Sequence, residues 1–135
     1  LISLDLDGND YYFIEKMARS GVLPKVFCLK YNAVFRPPID IKIKYNANHQ
    51  WALDDCFGCS LTACCHLLSP FYTLVACNIA GASCFFARND YSANFTKYTV
   101  EELYQPPRYH LSPFGKGHAP SVKFVLDRIS DDQPS

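Results

Sequence analysis

The chain has 135 residues, 49% of them hydrophobic, and its 13 Lys+Arg balance 13 Asp+Glu to a formal net charge of zero. That length fits one domain with an ordinary core. The charge balance and the lack of a basic run argue against a nucleic-acid groove or an anionic-membrane patch, and no apolar run approaches the roughly 18 residues a spanning helix needs.

Residues 1–6, "LISLDL", are an apolar run suited to a buried strand. They lack the basic leader and long apolar centre of a signal peptide. With no initial Met, the expectation is a processed protein or a fragment that starts mid-domain. Gly8 and Asn9 make a turn, with Asn9 as a helix cap. Phe13, Ile14, Met17 and Ala18 then recur at helical spacing, and Gly21 stops the helix. "KVFCLKY", 25–31, is a second buried strand. Strand, helix and strand within about 30 residues form a βαβ unit, hence a parallel pair with a right-handed crossover.

Pro37 and Pro38 open an extended arm, 35–46. In it Ile39, Ile41, Ile43 and Tyr45 alternate with Asp40, Lys42 and Lys44, the period of a half-exposed strand or arm. "HQWALDDCFGC" reads as loop. Ser60 caps a short helix over 61–68, ended by Pro70. The runs 72–79 and 83–90 flank "AGA" and predict an antiparallel hairpin in the same sheet. Past Asp90 regularity fades: 99–104 forms a helical turn or two, 106–120 is irregular, and "VKFVLDRI" adds a last strand. No internal repeat is present.

The opening "DLDGNDYYF" places Asp5, Asp7 and Asp10 at the carboxyl end of the first strand, where parallel sheets put ligands. A polar site and a plain capped turn both fit. Asp10 falls in the helix's first turn and suits its dipole in either case. Seven cysteines, an odd number, cannot all pair, and several lie in apolar runs where a free thiol behaves as a small hydrophobe. This favours an intracellular, reducing compartment, cytoplasm or organelle matrix. Cys56 and Cys59 form C-x-x-C with Cys64, Cys65 and His66 close behind. A tetrahedral zinc site is disfavoured, because Cys64 and Cys65 point to different sides of a helix and His66 faces elsewhere; core packing with a loop thiol is preferred. His110 and His118 have no obvious acid or thiol partner in sequence. Trp51, Phe57 and Tyr45 either line a pocket or pack the arm on its sheet. Asn94-Phe95-Thr96 is a glycosylation triplet of low specificity, and no G-x-S-x-G turn appears.

"SLDLDGNDYYF", "KYNAVF", "GCSL" and "LVACNIAGASCFFARND", spread over residues 3–90, resemble FkbM-like methyltransferase-related proteins. The resemblance implies an α/β fold: residues 1–90 as the C-terminal half of a Rossmann-like methyltransferase domain, a parallel βαβ unit followed by an antiparallel hairpin. Residues 91–135 form an irregular Pro-rich extension. A comparison with metal-dependent methyltransferases implies that Asp5 and Asp7 orient an acceptor or a cation, with Asn9, Tyr11 and Asn32 as substrate-binding residues. Where an acid is expected beside Asn32 this chain has Lys30. An ammonium there opposes a hard cation, so no metal is expected and Lys30 should pair with Asp5 or Asp7. Methyltransferases of this fold hold S-adenosylmethionine on a glycine-rich turn and an acid in the preceding half. The glycines at 8, 21, 58, 81, 115 and 117 form no G-x-G-x-x-G motif. No cofactor is therefore expected on these residues alone, and S-adenosylmethionine only where an N-terminal half supplies its site. The reading is a non-catalytic structural or interaction subunit of a larger assembly, with a protein partner covering the first strand and the C-terminal tail. The alternative is a fragment of an active O- or N-methyltransferase.

Overall fold

The structure is a computed structural model that describes residues 1–111 and 115–131, without the side chains of 128–131. It is a mixed α/β arrangement around a four-stranded sheet in the order β1-β2-β4-β3. β1 (Ile2–Leu4) and β2 (Val26–Lys30) run parallel, joined through α1 (Asp10–Arg19). β3 (Tyr72–Cys77) and β4 (Ser83–Arg88) form the antiparallel hairpin, and β4 adds antiparallel to β2. The expected pairing of 1–6 with 25–31, and of the hairpin within the same sheet, is therefore present, with shorter strands.

Local chemistry accounts for these elements. On α1, Ile14 and Ala18 are buried four residues apart and Gly21 leaves the helix at φ +76°, the left-handed conformation that a glycine takes at low cost. Asn9 stands at the cap position, but its side chain does not cap. Asp10 does the local work instead, accepting the backbone N–H of Leu6 at 2.8 Å and of Gly8 at 2.9 Å. α2 (Leu61–Leu68) starts at Ser60, whose hydroxyl accepts Ala63 N–H at 3.2 Å. The hairpin turn is closed by Asn78 Oδ1, which accepts the N–H groups of Ala82 and Ser83 at 2.9 and 3.0 Å.

One face of the sheet carries the core. Phe27 and Leu29 of β2, Tyr72 and Leu74 of β3, and Cys84 and Phe86 of β4 pack with Ile14 of α1 and with Leu61, Cys64 and Leu68 of α2. The alternate residues Val26, Cys28, Thr73, Val75 and Phe85 are only half-buried. A second, much smaller cluster joins Ile43, Cys56 and Phe124, with Phe35 and Ile41 against it.

One expectation is corrected. The run "VKFVLDRI" is not a strand; from Lys123 onward it lies in α4 (Lys123–Asp131), the fourth helix after α3 (Val100–Leu103). Its β-branched residues suggested extension, yet no sheet edge receives it. Among the described side chains of the run Phe124 turns inward while Val122, Val125 and Leu126 stay exposed. Of the two readings of 35–46, strand or arm, the structure has the arm. Lys42 alone makes a bridge, to Cys59, because the chain opposite turns at once into α2 through Ser60. Ile43 is buried, whereas Ile39 and Tyr45 are exposed. The segment beyond Asp90 is tied back to the body: Tyr31 donates to Gln105 O, Tyr104 to Ala33 O, and Asp55 N–H to Ala119 O.

Candidate functional site

β1 and β2 pair Ser3 with Cys28 and Leu4 with Leu29. Continued one step, that register sets Asp5 beside Lys30 at the carboxyl end of the parallel pair. The Lys30 ammonium lies 3.1 Å from Asp5 Oδ1 and is hydrogen-bonded to Asp7 Oδ1. Asp7 has φ +55°, a left-handed conformation that aspartate tolerates better than most residues. It bends the chain so that both carboxylates reach one cation. Lys30 also sits over the rings of Phe57 and Trp51, 5.1 and 5.8 Å from their centroids, a placement that favours an ammonium. Burial pulls its pKa down, but the hydrogen bonds it donates to Asp7 and Asp5 outweigh this and leave it raised. The cluster of two carboxylates and one ammonium carries a formal charge of −1.

Around this ion pair opens a cleft of about 670 Å³, lined by Asp5, Lys30, Trp51, Ser83, Tyr109 and His118 among others. That volume lies in the range of small-molecule sites. Leu53, on its rim, is exposed at φ +60°. A second cavity of about 310 Å³ shares Tyr109, Lys116 and His118 with it. His118 is enclosed by three rings, at centroid distances of 4.7 Å to Tyr109, 4.9 Å to Phe57 and 5.2 Å to Trp51. Burial, then the nearby Lys30 charge, lowers its pKa below the ordinary histidine value, so the imidazole is neutral at neutral pH. Its Nδ1 is enclosed, with no hydrogen-bond partner among the described residues. The segment bearing His118 is held by the Asp54–Ala119 bridge and by Lys123, whose ammonium lies 2.7 Å from Asp54 Oδ2.

The other residues singled out from sequence stand apart from the cleft. Asn9 clasps the arm, donating from Nδ2 to Asn46 O at 2.8 Å. Tyr11 lies under the Lys42 ammonium at 3.9 Å. Asn32 is fully buried and acts as an internal clamp: its amide donates to Asp55 O and Phe57 O at 2.7 and 3.2 Å and its Oδ1 accepts Val34 N–H. Gly8 is required by packing, since a Cβ there would lie 2.3 Å from the His49 ring, whose Nε2–H donates to Asp7 O at 3.2 Å. Tyr45 is exposed and meets Tyr12 edge-on. The ion pair, the aromatic wall and the imidazole thus meet in one place. The role of His118 was hidden in the sequence because its ring partners Trp51 and Phe57 lie some sixty residues away in the chain.

Cys56 and Cys59 do not form a dithiol unit. Cys56 belongs to the small cluster and Cys59 to the main core, and all seven cysteines are free. Among the described residues no helix is long and apolar enough to cross a membrane. The chain matches no family model, no curated protein and no solved structure.

Proposed function

We propose that these residues form the acceptor-side part of a methyltransferase-like sheet and that, by themselves, they act as a non-catalytic binding or structural module. The observation that carries this reading is the Lys30 ammonium bound between Asp5 and Asp7. On this reading the ammonium stands near where the resemblance to metal-dependent methyltransferases would put a divalent cation. At about 6 Å and an effective dielectric near 20, a unit positive charge opposes each charge of such a cation by roughly 3 kcal/mol. The strand order, with an antiparallel pair closing a parallel one, is in keeping with the end of a methyltransferase-like sheet. The cleft at the carboxyl ends of β1 and β2 suits a ligand site.

Exposed Leu1 and Leu6 beside β1, and Val122, Val125 and Leu126 near the other end of the chain, support a protein partner over the open edge of β1 and the C-terminal segment. The free thiols fit an intracellular, reducing setting. A second reading has one observation in its favour. The neutral His118 imidazole in the cleft is suited to take a proton from an acceptor, as the acceptor side of an active O- or N-methyltransferase would require.

Titration of the chain with S-adenosylmethionine tests the first reading. It should show a Kd no tighter than about millimolar, roughly −4 kcal/mol; micromolar binding would overturn it. The metal arm uses Lys30→Glu. The native protein should show no Mg²⁺- or Ca²⁺-dependent rise in Tm, and the variant should gain one. A metal-dependent rise in the native protein, lost in Asp5→Asn, would refute the role given to Lys30.

A further inference from the structure

Sequence draws the eye to Cys56-x-x-Cys59, but the structure brings a different pair together. The Sγ atoms of Cys59 and Cys64 lie 3.2 Å apart in the main core, where both residues are fully buried. With Ser60 as N-cap of α2, Cys59 precedes the cap and Cys64 is the fourth helical residue. Those positions normally hold two apolar side chains that staple a helix's entry to its first turn. Here the staple is made of two thiols. We propose that Cys59 and Cys64 are a reversible oxidation site, joined as a disulfide by a low-molecular-weight disulfide or peroxide oxidant. The proposal does not depend on the methyltransferase-like reading.

The geometry needs little change. A disulfide has S–S near 2.05 Å, so the sulfurs close by about 1.2 Å. The two sulfurs share a hydrogen bond, and with the further bond from Cys84 it favours the thiolate on Cys64 over that on Cys59. Both sulfurs are buried, so exchange begins only when the first turn of α2 opens locally and admits the oxidant to Cys64. With oxidised glutathione, its sulfur bonds to one glutathione sulfur and the other leaves as thiolate. Cys59 then attacks the Cys64 sulfur and expels the second glutathione. Two S–H bonds are lost, one S–S bond forms in the protein, and two electrons reduce the oxidant to two thiols. The remaining thiols are placed differently. Cys56 lies in the other cluster and Cys28 is half-buried on the opposite face of β2; Cys84 also reaches Cys64 but donates to Leu29 O at 3.4 Å as well, so a Cys64–Cys84 cross-link is the competing product.

The consequence reaches the cleft. Cys59 O accepts Asn32 N–H at 2.8 Å, Gly58 N–H donates to Gly8 O at 3.0 Å, and Phe57 forms the wall beneath Lys30. A covalent staple fastens this segment to α2 and with it the Phe57 wall.

The test uses the folded chain exposed to diamide, quenched with acid, then denatured and alkylated with N-ethylmaleimide near neutral pH, and mapped with chymotrypsin, which cuts after Leu61 between the two cysteines. The expected result is five alkylated cysteines instead of seven, a cross-link between Cys59 and Cys64, full reversal by dithiothreitol, and a raised Tm for the oxidised form. Cys64→Ser and Cys59→Ala, each confirmed as folded by its melting transition, should retain six alkylated cysteines after the same treatment. Seven alkylated cysteines in the native protein, or a dominant cross-link elsewhere, such as between the cross-strand neighbours Cys77 and Cys84, would overturn the proposal. So would an unchanged loss of two thiols in either variant.

Discussion

The two apolar clusters of this protein are held by different means. The main cluster draws on three strands and two helices, and its residues are buried side by side. The small cluster has three buried residues, Ile43, Cys56 and Phe124, contributed by an arm, a loop and α4. Polar ties surround it: Lys123 to Asp54, Trp51 Nε1–H to Asp54 O, and Asp55 N–H to Ala119 O. The cleft lies between the rigid end of β1 and β2 and the segment that this small cluster anchors. One wall is thus set by burial, the other by a handful of hydrogen bonds, and the cleft is expected to open from the second side.

Paired truncations break the comparison most sharply. Phe27 is fully buried in the main cluster, so Phe27→Ala should cost about 3–5 kcal/mol and remove most of the cooperative melting transition. Phe124 is also buried, but it packs mainly on Phe35 at a ring distance of 4.7 Å, in a region that can collapse. Phe124→Ala should cost about 2 kcal/mol and leave the sheet intact. Far-UV circular dichroism should stay native in this variant while Trp51 emission changes, because the His118 segment loosens. Equal losses in the two variants would show that the clusters form one cooperative unit.

Which parts were legible in the sequence follows the same division. β2, β4 and α2 bury apolar residues in a regular period with clear punctuation, Ser60 at the start of α2 and Gly21 after α1, so their type was readable. The Lys30 ion pair was also within reach, since a parallel register places the ends of β1 and β2 side by side. The small cluster left no such trace. Ile43 is the one fully buried residue of an arm whose alternation imitated a strand. Phe124 sits among β-branched neighbours that imitated another. His118 owes its surroundings to contacts far apart in the chain, which no local period reports.

A smaller effect is expected at the turn that carries the ion pair. Asp10 is 2% exposed and satisfies two backbone N–H groups. Asp10→Ala leaves a buried and a part-buried donor without an acceptor and should cost about 2 kcal/mol. Asp10→Asn keeps one acceptor oxygen and should cost less. Urea melts of the two variants would rank them, and an Asn variant as damaged as Ala would show that the carboxylate charge, and not the acceptor geometry, holds the turn.

The smallest effect concerns the tie between α4 and the loop. Lys123 donates to Asp54 and holds its carboxyl below the ordinary value of 3.8. A carboxyl lowered on folding contributes stability that is present above its unfolded pKa and is lost as pH falls through its folded pKa. The contribution is therefore complete at pH 5 and fades below about 4. The lysine is half exposed, with 52% of its side-chain surface open, and water screens the pair. Asp54→Asn should lower Tm by roughly 2 °C at pH 7 and should flatten the Tm profile between about pH 4 and 2 relative to the native protein. Lys123→Met should give the same flattening, because the depression of Asp54 comes first from Lys123. If Lys123→Met keeps the native acid profile, the carboxylate is held by its own bond from Cys56 N–H at 3.1 Å. The small cluster would then be anchored from within the loop and not through α4.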